Sequence, residues 1–424
     1  MKKFLLFALA TAVLFCFGFS WRDLQGGHLP SLAPIQQALG MQTTLQQTPV
    51  QEFKQAFNRI GTYYYRPVKP LELKYAGISG MMAALGDPHT MFLVPKVAKR
   101  FNTDVKANYV GIGARLSPDP LGAKAVTVFE DGPGFAAGLR KGDMIVSVNG
   151  DKVAGQDIEQ IVEKIQGEEG TLVRLGVLKA NKGNSVILTV KRAHVTTPTV
   201  ESTYFPEYQV GYIAIANFAA PTVEQFDKEL EKVERNPLKG LVIDVRGNPG
   251  GYVETAVDLL ARWKGNKTVI RMKMRDGDEN REYTPQGQEH AFRYPVAVLI
   301  NSESASAAEI FSGNLKDYKL ATLVGEHSYG KASVQEVYQI RDGSSAKITI
   351  AKYFLPITGD ISRQVDEYGT YIKGGLEPDV PVEAKDLTPE EMREAMKDSD
   401  SDIANPKLDN QLMKAIQVVL SKSR

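Results

Sequence analysis

From residue 196 onward the chain alternates between two textures. GYIAIANF, GLVIDV and YPVAVLI are short, nearly continuous apolar runs. Between them, VEQFDKELEKVE, YVETAVDLLARW and SASAAEIFSGNLKDY repeat apolar residues at helical spacing. Short runs of that kind predict strands buried on both faces, and strands alternating with amphipathic helices predict an α/β core with a mixed sheet. TVIRMKMRDGDENREYT predicts a hairpin around its Asp-Gly turn, and ATLVGE, SVQEVYQI and AKITIAKYFLP predict further strands. A polar, acidic stretch then leads to a final amphipathic helix, LDNQLMKAIQVVL.

Upstream the texture differs. Residues 106–195 read as short strands around one clear helix, DIEQIVEKIQG, closed by the strands TLVRLGVLK and SVILTVKRA. Before them, Phe53, Ala56, Phe57 and Ile60 fall at helical spacing, and LELKYAGISGMMAALG repeats the pattern, ending at the turn GDPHTMFL. His89 in that turn reads as a turn-stabilising residue. The first residues, MKK followed by an apolar run from Phe4 to Trp21, predict a signal peptide or, preferably, an uncleaved membrane anchor with the lysines inside. Residues 22–48, rich in Gly, Gln, Pro and Thr, read as a tether.

Composition narrows the function. The net charge of +1 leaves no basic footprint for nucleic acid. The single cysteine rules out an intrachain disulfide, and no HExxH or CxxC pattern suggests a metal. Neither a metal nor another cofactor is expected. The chemistry concentrates in three strand-exit segments. In NSESASAAEIF, Ser306 stands where a strand gives way to a helix, so the Ala307 N–H and the helix dipole could hold an oxyanion; the same Ser306–Glu309 spacing also spells a capping box. GNPGG, residues 247–251, is a second strand-to-helix turn with exposed amides, equally readable as a tight turn. In HSYGKASVQ, Lys331 lies among small residues just before a strand. Such a setting suits a desolvated lysine base, although taken alone the residue also reads as surface charge.

Two resemblances join these pieces. YVGIG followed by GPGFAAGLRKGDMIVSVNG resembles a PDZ domain, which implies that Tyr109, Val110, Gly111, Ile112 and Gly113 form a loop binding the terminal carboxylate of a peptide. GLVIDVRGNPGG, SASAAE and HSYGKASVQ, in that order after it, resemble the carboxyl-terminal processing (tail-specific) protease family. The resemblance implies an α/β crotonase-like protease core with an inserted, mostly-β PDZ domain and helical N- and C-terminal elements. It implies Ser306 as nucleophile, Lys331 as general base, Gln335 orienting the lysine, and Ala307 with Gly250 or Gly251 as the oxyanion hole. The expected layout is a leader or anchor at 1–21, a tether at 22–48, a helical region and start of the core at 49–105, PDZ at 106–195, protease core at 196–385, and linker plus helix at 386–424.

The expected partners are protein or peptide substrates with free C-termini outside the cytoplasm of a bacterium, a second copy of the chain through helices 50–85 and 408–420, a possible regulatory protein, and the membrane through the N-terminal segment. Departures from the family pattern are Ala332 and Ser333 in place of Gly and Thr, Gln166 where many members carry arginine, and a lengthened segment ISRQVDEYGTYIKGG. A catalytically inactive PDZ scaffold is the alternative, and the intact set of Ser306, Lys331 and Gln335 argues against it. Ser344–Lys347 matches S-x-x-K, but it enters a strand, whereas that chemistry needs a helix start.

Overall fold

The computed structural model describes residues 48–180, 185–264, 267–275, 280–285, 287, 289–388, 390–391 and 404–423. The expected leader at 1–21 and nearly all of the tether lie outside these residues. Among the described residues no helix is long and apolar enough to cross a membrane. The chain forms two compact units that divide between Gly77 and Ile78. The first holds helix α1 (Pro49–Tyr63) and most of α2 (Pro70–Ala83). Thr48 accepts a hydrogen bond from the Gln51 N–H and Gln51 reaches back to the Thr48 N–H, so α1 begins in a capping box with proline at its first turn.

The second unit opens with β1 (Met91–Leu93) and α3 (Pro95–Lys106), a helix that the sparse apolar residues of PKVAKRFNTDVK did not predict. A β-rich insert follows: β2 (Asn108–Gly111), β3 (Ala114–Asp119), β4 (Gly122–Val128), α4 (Pro133–Ala136), β5 (Met144–Val148), β6 (Asp151–Lys152), α5 (Ile158–Ile165), β7 (Leu172–Leu178), β8 (Ser185–Lys191) and β9 (Ala193–Thr196). Its sheet runs β3-β4-β5-β7-β8, with β6 on β5 and β3 at an edge. Its own core is built from Ile112, Leu139, Ile145, Ile161, Val173, Leu175 and neighbours. The chain enters on β2 and leaves on β9, and these two strands pair antiparallel.

The remaining strands are β10 (Val200–Phe205), β11 (Val210–Ile215), β12 (Gly240–Asp244), β13 (Ile270–Met274), β14 (Asn280–Tyr283), β15 (Val296–Ile300), β16 (Thr322–Gly325), β17 (Ser333–Gln339), β18 (Ser345–Phe354), β19 (Gln364–Val365), β20 (Tyr371–Lys373) and β21 (Val380–Pro381). The helices are α6 (Thr222–Glu234), α7 (Val253–Lys264), α8 (Ala307–Asp317) and α9 (Asn410–Lys422). One sheet runs β10-β11-β12-β15-β16-β21, parallel throughout except at β10–β11. Both of its faces are covered, which is why β12 and β15 are apolar at every position or nearly so. Leu241, Ile243, Val298 and Ile300 face the core shared with α6, α7 and α8. Val242, Ala297 and Leu299 face the opposite core with Leu412, Ile416 and Val419 of α9. A second, antiparallel sheet runs β1-β18-β13-β14, with β17 also paired to β18.

Parallel order decides where the chemistry lies. β12, β15 and β16 are adjacent parallel neighbours, so the segments leaving their carboxyl ends (GNPGG, NSESAS and HSYGK) emerge at one edge of the sheet, where ligands bind in open α/β folds.

Candidate active site

The three exit segments are tied to one another by their backbones. Ser304, 1% exposed, donates its hydroxyl to the Val245 carbonyl (2.8 Å). The Ala305 N–H donates to the Asn248 carbonyl (2.9 Å) and the Tyr329 N–H to the Ser304 carbonyl (3.0 Å). The middle segment is therefore clamped between the other two.

Ser306 precedes α8, whose residues from Ala307 to Leu315 are all buried. The helix begins at Ala307, later than the apolar pattern alone suggests. Ser306 has φ 57° and ψ −115°, a conformation that side-chain-bearing residues rarely adopt and that costs about 1–3 kcal/mol. The surroundings impose it. The buried Tyr353 hydroxyl donates to the Ser306 carbonyl (3.2 Å), which also accepts the N–H groups of Glu309 and Ile310, while the Ser306 N–H donates to Glu309 Oε2 (2.8 Å). Of the first N–H groups of α8, Ala308 is bonded to the Ala305 carbonyl, and Glu309 and Ile310 are bonded to Ser306. The Ala307 N–H is left without an acceptor among the described residues.

Glu309 is the organising group, a role that its capping-box spacing alone does not reveal. Its carboxylate is fully buried and accepts four hydrogen bonds: from the N–H groups of Ser306 (2.8 Å), Gly330 (2.6 Å) and Lys331 (2.8 Å), and from the Ser328 hydroxyl (2.5 Å). Burial pushes its pKa up, and the four donors oppose that. One carboxylate thus fixes the Ser306 junction and the Lys331 loop to each other.

Lys331 is largely buried, and burial, followed by the like charge of Lys347, pulls its amine down to about 8, against the opposing pull of Glu309 and Asp87. Its Nζ makes no ion pair or hydrogen bond among the described residues. Lys347 lies on β18 over the Phe101 ring (5.4 Å) and is itself lowered by burial. The GDPHT turn faces the same lysine. His89 is lowered by burial and by the Lys331 charge. For Asp87, burial is outweighed by hydrogen bonds from Thr349, Thr90 and the His89 N–H, which hold it below the ordinary carboxylate value.

Gln335 sits at a β-bulge in the β17–β18 ladder, opposite Thr349. Its Nε2 donates to the hydroxyls of Ser333 (2.9 Å) and Thr349 (3.1 Å), and its amide makes no bond to Lys331. Thr349 in turn donates its N–H to Thr90 (3.0 Å), whose hydroxyl donates to Asp87 (2.7 Å). The residue expected to orient the lysine is therefore linked to the GDPHT turn.

In the GNPGG turn, Gly250 (φ +101°) lies against the serine. A Cβ there would stand 2.8 Å from Ser306 Cβ and 3.0 Å from the Ala307 nitrogen. Its N–H is already donated to Asn248 Oδ1 (2.8 Å), whereas no acceptor takes the Gly251 N–H among the described residues. Asn248, fully buried, also donates its side chain to the Ile215 carbonyl (2.7 Å), so it fixes the turn. Upstream, Arg246 joins this turn to α9. It is bidentate on Asp409, the N-cap of that helix (3.1 and 2.6 Å), and bonded to Gln411 (2.8 Å) and to Asp244.

In the loop from Tyr109 to Gly113, Ile112 is buried and its carbonyl accepts the Gly134 N–H (2.7 Å), while Gly113 takes φ +72° against Gly132. Tyr109 lays its ring on Gly111. Burial raises its phenol pKa, and hydrogen bonds from the amides of Ala114 and Gly113 partly offset that.

Residues 209–382 match peptidase family S41, and residues 126–179 match the PDZ domain family. Over 339 residues the chain is 32% identical to the carboxy-terminal processing protease CtpB of Bacillus subtilis (strain 168), covering 79% of this chain and 68% of that one. The chain belongs to peptidase family S41. Carboxy-terminal processing protease CtpA of the same strain is 31% identical over 338 residues, covering 79% and 69% of the two chains. A solved photosystem II D1 C-terminal processing protease aligns with 78% of this chain and 86% of its own at 27% identity and a TM-score of 0.43. As an S41 member the protein is a serine-type peptidase with an S41 fold and a PDZ domain, consistent with peptide substrates.

Proposed function

We propose that this S41 peptidase cuts proteins near their C-termini outside the cytoplasm, on a crotonase-like core, with Ser306 as nucleophile and Lys331 as general base. The observation that carries the reading is the pairing of a strained serine at a helix start with a buried lysine lowered to about 8, both hung on one carboxylate. The neutral Lys331 amine takes the Ser306 hydroxyl proton as Oγ attacks the scissile carbonyl. The N–H groups of Ala307 and Gly251 receive the oxyanion. Lys331 then returns the proton to the departing amine, and water, deprotonated by the same lysine, releases the acyl-enzyme.

Gln335 acts by holding Thr349 and the strand beside the lysine. Residues 109–113 and the free edge of β3 receive the substrate's tail, and tail binding is coupled to cleavage. The N-terminal segment tethers the enzyme to the membrane, and helices within 50–85 and 408–420 pair two copies. The test is to map new C-termini in cells carrying the wild type, Ser306→Ala or Lys331→Ala. Both variants should remain folded and generate none of the wild-type ends. Processing by Lys331→Ala at the wild-type rate would sink the scheme.

A further inference from the structure

The lengthened segment before GGLEPD folds as a hairpin, β19–β20, set against the lysine loop. The Arg363 N–H donates to the Gly330 carbonyl (2.8 Å), and Gly375 closes on Ser328. The Arg363 guanidinium lies over two rings, Tyr329 (5.2 Å) and Tyr371 (5.3 Å). Tyr371 stacks on His327 (4.6 Å, 11°) and Tyr329 meets His89 edge-on (6.4 Å). His89 in turn feels the charge of Lys331. A ladder of rings and one guanidinium therefore runs along the base.

Arg363 has no carboxylate partner among the described residues. Its hairpin neighbour Asp360 holds the N–H and hydroxyl of Ser362 (2.9 and 2.5 Å), and Asp366 holds the N–H groups of Tyr368 and Thr370. Ring contacts occupy the faces of a guanidinium and leave its edge N–H donors free for a bidentate carboxylate. Beyond it the hairpin exposes Val365, Tyr368 and Ile372.

We propose that Arg363 is a specificity-determining residue that binds a carboxylate of the substrate peptide beside apolar side chains. Because the Arg363 N–H is bonded to the carbonyl of Gly330 (2.8 Å), the residue before Lys331, the carboxylate should lie within about four residues of the cleaved bond in an extended chain. The inference rests on the reading of Ser306 and Lys331 as the reacting pair. The carboxylate is either an acidic side chain or the substrate's own terminus, and the test separates the two.

Fluorescent peptides with apolar tails carry Glu or Gln at each of the four positions on either side of the cut, each made with a free or an amidated C-terminus. They are assayed for kcat/KM with the wild type, Arg363→Gln and Arg363→Lys. Their affinities are measured by anisotropy with full-length Ser306→Ala, alone and combined with Arg363→Gln. The wild type should prefer Glu over Gln at one position, or the free over the amidated terminus, by at least tenfold. Arg363→Gln should lose that preference and Arg363→Lys should keep part of it. A preference for the free terminus that survives Arg363→Gln belongs to the PDZ loop and counts against Arg363. A uniform fall across all peptides, or no charge preference in the wild type, overturns the proposal. Cleavage without selectivity refutes Arg363 alone. Selective, Arg363-dependent binding without cleavage by the wild type refutes the reading of the reacting pair and leaves Arg363 standing.

Discussion

Replacing Lys331 by Met should make the protein more stable while making it inactive. The amine falls from 10.5 to about 8 on folding. At 1.36 kcal/mol per unit, that difference is about 3 kcal/mol. The group's pKa is lower in the folded chain, so its ionisation opposes folding. Below pH 8 both folded and unfolded chains hold the proton, and the folded state carries the whole penalty of a buried ammonium. Between pH 8 and 10.5 the unfolded chain holds a proton that the folded chain lacks, so wild-type stability climbs. Above 10.5 the penalty is gone. Met has nearly the same length and flexibility without the charge.

Lys331→Met should therefore exceed the wild type by up to about 3 kcal/mol at pH 7, with the gap closing as pH approaches 10.5. Urea denaturation followed by the fluorescence of the core residue Trp263, repeated across this range, reads the difference. Wild-type kcat/KM should rise with pH through about 8 over the same interval. A variant no more stable than the wild type at pH 7 would refute the argument. So would a gap that stays constant to pH 10.5, because it would report packing and not ionisation.

Three further perturbations probe the same site. Lys347→Met removes the like charge that helps to lower Lys331, so the pH–rate profile should move to higher pH, with a loss at pH 7 that disappears at pH 10; an unchanged or acid-shifted profile contradicts this. Glu309→Gln places an amide where four donors converge, and should cost about 3 kcal/mol in denaturant titrations and more than tenfold in kcat. Gly250→Ala drives a methyl group to 2.8 Å from Ser306 Cβ at a φ of +101°, and should lower kcat by about a hundredfold or more while leaving peptide affinity for the PDZ domain unchanged.

The parts of this fold set by pattern were readable from sequence. Strands β12 and β15 are apolar because both of their faces are covered, and the helices between them carry one apolar stripe, so the α/β core follows from periodicity. The PDZ and S41 motifs lie on turns where glycine is needed, as at Gly250 and Gly113, and these too are visible in the letters. What stayed hidden depends on residues distant in the chain. The Ser306–Glu309 spacing shows the cap but not the positive φ of Ser306, which Glu309 holds together with Tyr353, 47 residues downstream. His89 reads as a turn residue because the lysine whose field it shares is far downstream. Gln335 was expected on the lysine, but the bulge at Val334–Gln335 turns it toward Thr349. Helix α3 was missed because PKVAKRFNTDVK offers few apolar residues to periodicity. The β19–β20 segment read only as an enlarged loop, since two-residue strands leave no repeat to detect.

The pairing of Arg246 with Asp409 ties the turn beside Ser306 to the last helix of the chain. The turn that faces Ser306 is latched by the first turn of the last helix, so a copy of the chain still lacking residues beyond 408 has a half-buried guanidinium short of one acid and a turn without its latch. The turn facing Ser306 then reaches its full set of contacts only when the terminal helix docks. A copy whose tail was shortened past that point would lose these contacts, so a helix more than a hundred residues from Ser306 in the chain helps to order the turn beside it.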